Sequence, residues 1–360
     1  YTSSSDVIEV YSGGVLDVSG GTATNVTQHD GAILKTNTNG TTVNVTNSEG
    51  AFSIHNHVAD NVLLENGGHL DINAYGSANK TIIKDKGTMS VLTNAKADAT
   101  RIDNGGVMDV AGNATNTIIN GGTQNIYNHG IATGTNINSG TQNIKSGGKA
   151  DTTIISSGSR QVVEKDGTAI GSNISAGGSL IVYTGGIAHG VNQETGSALV
   201  ANTGAGTDIE GYNKLSHFTI TGGEANYVVL ENTGELTVVA KTSAKNTTID
   251  AGGKLIVQKE AKTDSTRLNN GGVLEVQDGG EAKHVEQQSG GALIASTTSG
   301  TLIEGTNSYG DAFYIRNSEA KNVVLENAGS LTVVTGSRAV DTIINANGKM
   351  DVYGKDVGTV

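Results

Sequence analysis

The stretch GGKLIVQKEAKTDSTRLNNGGVLEVQDGGEAKHVEQQSGGALIA, Gly252 to Ala295, carries one phrase three times. Gly253, Gly272 and Gly291 each close a Gly-Gly pair, and each stands 19 residues from the next. The phrases they open are Lys254-Leu255-Ile256-Val257, Val273-Leu274-Glu275-Val276 and Ala292-Leu293-Ile294-Ala295. Leu255/Val257 and Leu274/Val276 fall on one side, Ile256 and Glu275 on the other, and period-two alternation is the mark of a strand. A fixed period near twenty residues is the mark of a solenoid. Together they predict coils of strand and turn stacked in one register, with Leu255, Leu274 and Leu293 in one column.

The same spacing extends in both directions. Gly68, Gly87 and Gly106 are 19 apart, and Gly122, Gly140 and Gly158 are 18 apart. Gly196 to Gly234 and Gly291 to Gly329 each cover two periods. No break is long enough to mark a boundary, so one β-helical domain is expected over 1–360. Roughly 19 coils at ~4.8 Å each would make a rod on the order of 90 Å long. A longer repeat overlies the short one near 31–66, 196–232 and 291–327. Each copy ends in Leu-Glu-Asn, and the copies hold the chain's 3 phenylalanines, Phe52, Phe218 and Phe313. These read as double turns or loop-bearing modules, with the ring filling the core or marking a loop.

A second strand reads Ala-x-x-Thr-x-Ile: Ala78/Thr81/Ile83, Ala97/Thr100/Ile102, Ala114/Thr117/Ile119, Ala244/Thr247/Ile249. Thr and Ile two apart share a face, so the hydroxyls are expected inside, linked along the axis. After the Ile comes a turn residue, among them Asp103, Asn120, Asn138, Asp250 and Asn269. Asn and Asp tolerate left-handed backbone and stack into amide ladders. In the first strand, Gln124, Gln142 and Arg160 occupy the place of Leu70, Met89 and Met108. Inward glutamines must bond each other, since an unpaired buried amide costs ~1–3 kcal/mol.

Composition removes several function classes. Net charge is −12, against nucleic acid or anionic lipid as a partner. The absence of cysteine leaves neither disulfides nor a thiolate metal site, and the absence of proline suits an uninterrupted ladder. No apolar run approaches a membrane span, so a signal and anchor, if any, are expected outside these 360 residues. A polysaccharide-cleaving β-helix would need clustered carboxylates and sugar-stacking aromatics, yet there is no tryptophan and the tyrosines are scattered. The histidines are dispersed too, with only His55 and His57 as a candidate metal pair. No catalytic, cofactor or metal set is therefore expected.

The outward position of the first strand reads Asp17, Asp71, Ser90, Asp109, Asn125, Asn143, Gln161, and later Ile181, Leu199, Ile256, Glu275 and Ile294. Its polar half, Asp17, Asp71, Asp109, Asn125, Asn143 and Gln161 with the turn residues Asp103, Asn120 and Asn138, is the candidate self-association stripe. Contacts repeated at coil spacing add along two partners.

INGGTQNIYNHGIATGTNINSGTQNIKSGGKADTTIISSG (Ile119–Gly158), ISAGGSLIVYTGGIAHG (Ile174–Gly190) and VVLENAGSLTVV (Val323–Val334) resemble the repeats of AIDA-type self-associating autotransporter adhesins. The resemblance covers nearly the whole chain. It implies a right-handed parallel β-helix from a Gram-negative cell surface, with signal peptide and translocator barrel outside this stretch. It also implies aggregation, biofilm formation and host adhesion, with the same protein on neighbouring cells or host glycans and matrix as partners. Heptose on serines and threonines is a further property of some members.

Overall fold

The computed structural model describes residues 6–360, and every regular element among them is a strand. The chain forms two compact units, one ending at Asn173 and the other spanning Ile174–Val360. Each is a stack of coils.

In the second unit the deciding stretch behaves as read. Leu255 lies over Leu274 and Leu274 over Leu293, in parallel register, and all three are buried. A coil contains three strands, however, not two: Lys254–Val257, Lys262–Asp264 and Arg267–Leu268. The predicted Ala-x-x-Thr-x-Ile strand is split in the middle by a residue with positive φ. Asn246 (φ 55) and Ser265 (φ 60) do this in the second unit, Lys80 (φ 55), Ala99 (φ 54) and Asn116 (φ 53) in the first. Left-handed backbone costs an ordinary residue about 1–2 kcal/mol, and the ladder imposes it here. Lys80, Asn246 and Ser265 each donate their backbone N–H to the next coil. The bend turns Thr and Ile inward together with Ala, so three columns close the core. Ala78/Ala97/Ala114, Thr81/Thr100/Thr117 and Ile83/Ile102/Ile119 are all buried.

Two expectations about these columns are corrected. The Thr hydroxyls do not link along the axis: those of Thr81, Thr100, Thr247, Thr263, Thr266 and Thr342 are buried without a hydrogen-bond partner. Successive Thr side chains keep the coil spacing, too far for O–H···O contact. Nor do the residues after the Ile take left-handed backbone; Asp103, Asn120, Asn138, Asp250 and Asn269 are absent from the positive-φ set.

The glutamines do run inward, in a different register from the one read. Gln124 lies under Gln142, and Gln142 under Gln161, because that last step is 19 residues. Arg160 pairs with Thr141 on the outside and is exposed. The amides form a continuous buried ladder, Gln161 Nε2 to Gln142 Oε1 (2.7 Å) and Gln142 Nε2 to Gln124 Oε1 (2.8 Å). Hydroxyls of Thr135, Thr153 and Ser172 donate to the amide oxygens of Gln124, Gln142 and Gln161 respectively. In these coils the expected inward hydroxyls are used, by amides.

The longer repeat is not a double turn of parallel strands. In the first unit the chain runs through Thr42–Asn47, reverses as Gly50–His55, and resumes as Val58–Asp60. The second unit does this twice, at Asp208–Tyr212, His217–Thr221 and Glu224–Asn226, and at Leu302–Thr306, Ala312–Arg316 and Glu319–Lys321. Phe52, Phe218 and Phe313 sit in the reversed strands, each at most 3% exposed, so they fill the core. The repeated Leu-Glu-Asn closes each excursion. Glu65, Glu231 and Glu326 accept the backbone N–H of Gly31, Gly196 and Gly290. The next Asn in each case donates to the carbonyl of that same glycine. Buried Gln28, Gln193 and Gln287 add a bond to the backbone of residues 63, 229 and 324.

Candidate interaction surface

The first-strand face of the first unit carries the predicted stripe. Asp71, Ser90, Asp109, Asn125 and Asn143 lie one above the other in ladder register, each half-buried. Asn143 Nδ2 donates to Asn125 Oδ1 (3.0 Å), and Asn125 Nδ2 to Asp109 Oδ1 (3.0 Å). A carboxamide can donate and accept at once, so it propagates from coil to coil. A carboxylate only accepts, and the run ends on Asp109. His69 approaches Asp71 at 2.7 Å.

Three placements differ from the sequence reading. Gln161 does not belong to the stripe; it is fully buried, and Val162 takes the place above Asn143. Asp17 is exposed but pairs with Lys35, which pairs with His69, so it stands one column aside from Asp71. In the second unit Leu199 stacks on Leu180 inside, and Val200 faces out. The Gln161 and Leu199 errors come from one-residue slips, which exchange the faces of a strand; Asp17 is offset by two residues and so keeps its outward face. The turn residues form a separate corner. There Asn138 Nδ2 donates to Asn120 Oδ1 (2.9 Å), while Asp103 receives both Nε and a terminal nitrogen of Arg101.

The charged surface of the second unit lies on its second strands and on the reversed strands beside them, a face outside the predicted stripe. There Glu224 pairs with Lys245, Lys262 with Glu281, and Lys283 with Glu281. Arg316 pairs with Glu304, and Arg338 with Glu319. His189 meets Asp208 (2.9 Å), His217 meets Glu210 (2.8 Å) and His284 meets Asp264 (2.7 Å). The signal was present in the residues flanking the inward Ala column, where opposite charges recur one coil apart. Individual exposed pairs contribute little, but each fixes a side chain that would otherwise be free to meet a partner.

Several carboxyls here are held below their ordinary range. The Gly190 N–H and His217 do this to Glu210, His284 and Ser265 to Asp264, and Tyr314 and Arg338 to Glu319. A depressed carboxyl stabilises the fold above its unfolded pKa and loses that contribution as pH falls through the folded one. Melting temperature is therefore expected to stay level from neutral down to about pH 5 and to fall below about pH 4. A scan by circular dichroism checks this; a loss already complete by pH 5 would contradict it.

Shallow open grooves follow the bend between second and third strands. One in the second unit is lined by Ser265, Arg267, His284, Glu286, Glu304 and Thr306. Among the described residues no three His, Asp or Glu side chains converge on a metal-sized point. His57 Nδ1 lies 3.0 Å from the Thr38 carbonyl oxygen. Among the described residues no helix is long and apolar enough to cross a membrane.

Comparison with known proteins agrees with the long repeat. The family described as adhesin of bacterial autotransporter system, probable stalk, matches residues 44–106, 210–272 and 304–360, just over half of the chain. Each match begins in the strand that precedes a reversed one. The chain is 98% identical over 344 residues to the probable autotransporter YpjA of Escherichia coli K12, covering 96% of this chain and 22% of that protein's length. A crystal structure of a TibA fragment hyper-glycosylated by TibC is 24% identical, covering 97% of this chain and 98% of the fragment, at a TM-score of 0.40. With its modules coinciding with the family's matched segments, the chain belongs to the stalk family of bacterial autotransporter adhesins.

Proposed function

We propose that this chain is a passenger segment of a cell-surface adhesin. It acts without catalysis, by pairing the first-strand face of one copy with the same face of a copy on a neighbouring cell. Aggregation and biofilm formation result from that pairing. The observation that carries this reading is the ladder Asp109–Asn125–Asn143. Each amide spends one N–H on the coil below and keeps the other, so donors and acceptors repeat at coil spacing on an open face. Many weak contacts in register then add.

Changing Asp109, Asn125 and Asn143 together to lysine is expected to abolish aggregation of cells displaying the protein, with the strand signal in circular dichroism unchanged. Aggregation at the original rate would remove this face. A second reading, adhesion to host glycans or matrix, is favoured by the hydrogen-bonding groove around Arg267 and Glu286. Saturable binding on a glycan array, insensitive to the triple change, would select it.

A further inference from the structure

The chain contains six Asn-Gly pairs, at 39–40, 66–67, 104–105, 120–121, 270–271 and 347–348. In this dipeptide the glycine nitrogen can attack the Asn side-chain carbonyl carbon. A new N–C bond closes a five-membered succinimide, the C–N bond of the side-chain amide breaks, and ammonia leaves with the glycine's proton. Solvent water then opens the ring to aspartate or isoaspartate. The step requires a free glycine N–H and an Asn side chain able to swing over it.

Four of the six are tied. Gly67 N donates to Lys86 O (3.0 Å), Gly271 N to Gly290 O (3.0 Å) and Gly348 N to Asn345 O (2.9 Å). Asn66 is held a second time, on the Gly31 carbonyl (3.0 Å). Asn120 lies inside the strand Ile118–Ile126, with its amide oxygen bonded to Asn138. The other two are open. Asn104 and Gly105 are exposed in a turn, and among the described residues neither the Asn104 side chain nor the Gly105 N–H has a hydrogen-bond partner. Gly105 engages only as acceptor, from Lys86 N. The pair Asn39-Gly40 is equally exposed, and its Asn39 side chain and Gly40 N–H are likewise unbonded. Exposure does not separate the two sets, since Asn66, Asn270 and Asn347 are exposed as well. The hydrogen bond on the attacking nitrogen does so at 67, 271 and 348, and at 120 the strand and the bond from Asn138 hold the attacked amide in place.

We infer that Asn39 and Asn104 are sites of spontaneous deamidation in the folded protein, while Asn66, Asn120, Asn270 and Asn347 are protected by the hydrogen bonds of the folded coils. Conversion at Asn104 places a new carboxylate beside Asp103 and across from Asp85, whose side chain packs against Gly105. The isoaspartyl product also lengthens the main chain of that turn by one methylene.

The test is peptide mapping by mass spectrometry after incubating the folded chain in mildly alkaline buffer. Asn39 and Asn104 should gain the mass of an amide-to-acid exchange, with the other four at least about tenfold slower, the scale of one lost backbone hydrogen bond. In denaturant the six rates should converge, because the ladder is gone. An Asn104→Gln variant, which disfavours the five-membered ring, should lose the signal at 104 and keep it at 39. Silence at both open sites in the folded chain, or equal rates at all six, overturns the assignment.

Discussion

Replacing Gly253 with valine is expected to destabilise the second unit by about 3 kcal/mol or more, far beyond any surface change. A Cβ built on Gly253 would lie 2.1 Å from the Leu230 carbonyl oxygen and 2.4 Å from its carbon. Those atoms are backbone, and the Asp250 N–H is bonded to that carbonyl (2.8 Å), so they cannot withdraw without breaking the ladder. Gly253 has no positive φ; its requirement is space. Gly336 supplies the opposite case within the same unit, with φ at 82 and nothing within 4 Å of an added Cβ. Gly336→Ala should cost only the left-handed strain, about 1–2 kcal/mol. Thermal melts of the two variants separate the effects, and a Gly253→Val protein melting no lower than Gly336→Ala would refute the steric account.

That contrast also explains which features were legible. The coil was readable because Gly-Gly and the Leu column recur at one spacing, and a parallel ladder converts spacing directly into stacking. The split of the second strand was not. The left-handed position is filled by Asn61, Asn116, Asn246 and Asn322 but also by Lys80, Ala99, Tyr227 and Ser265, because the ladder above and below dictates the backbone whatever residue stands there. The reversed strands were missed for a related reason. Val43, Val45, Phe52 and Ile54 alternate in both directions alike, and period two carries no arrow. The stripe was legible wherever the step between coils was stated correctly, as at Asp109, Asn125 and Asn143. It failed at Gln161 and Leu199, where the step changed by one residue and inside became outside. The charged face of the second unit depends on pairs one coil apart, visible only after the three-strand coil is known.

The largest stability effect in the first unit is expected from a single break in its buried amide ladder. Gln142→Leu removes the acceptor of Gln161 Nε2 and of Thr153, and the 2.8 Å donor to Gln124. Each buried group left without a partner costs roughly 1–3 kcal/mol, so a loss of about 4 kcal/mol is expected from one near-isosteric change. Replacing Gln124, Gln142 and Gln161 with leucine together should cost less than the single change, because no amide is left to be orphaned. The neighbouring hydroxyls would then resemble those of Thr81 and Thr100, which the fold already keeps buried and unbonded. By the same reasoning Thr247→Val should raise stability by about 1 kcal/mol, its hydroxyl having no partner to lose, whereas Thr135→Val, which removes a donor to Gln124, should not. Denaturant titrations of these variants rank the contributions. If Gln142→Leu proved milder than the triple change, the inward glutamines would be acting as apolar filler, and the ladder would contribute nothing beyond volume.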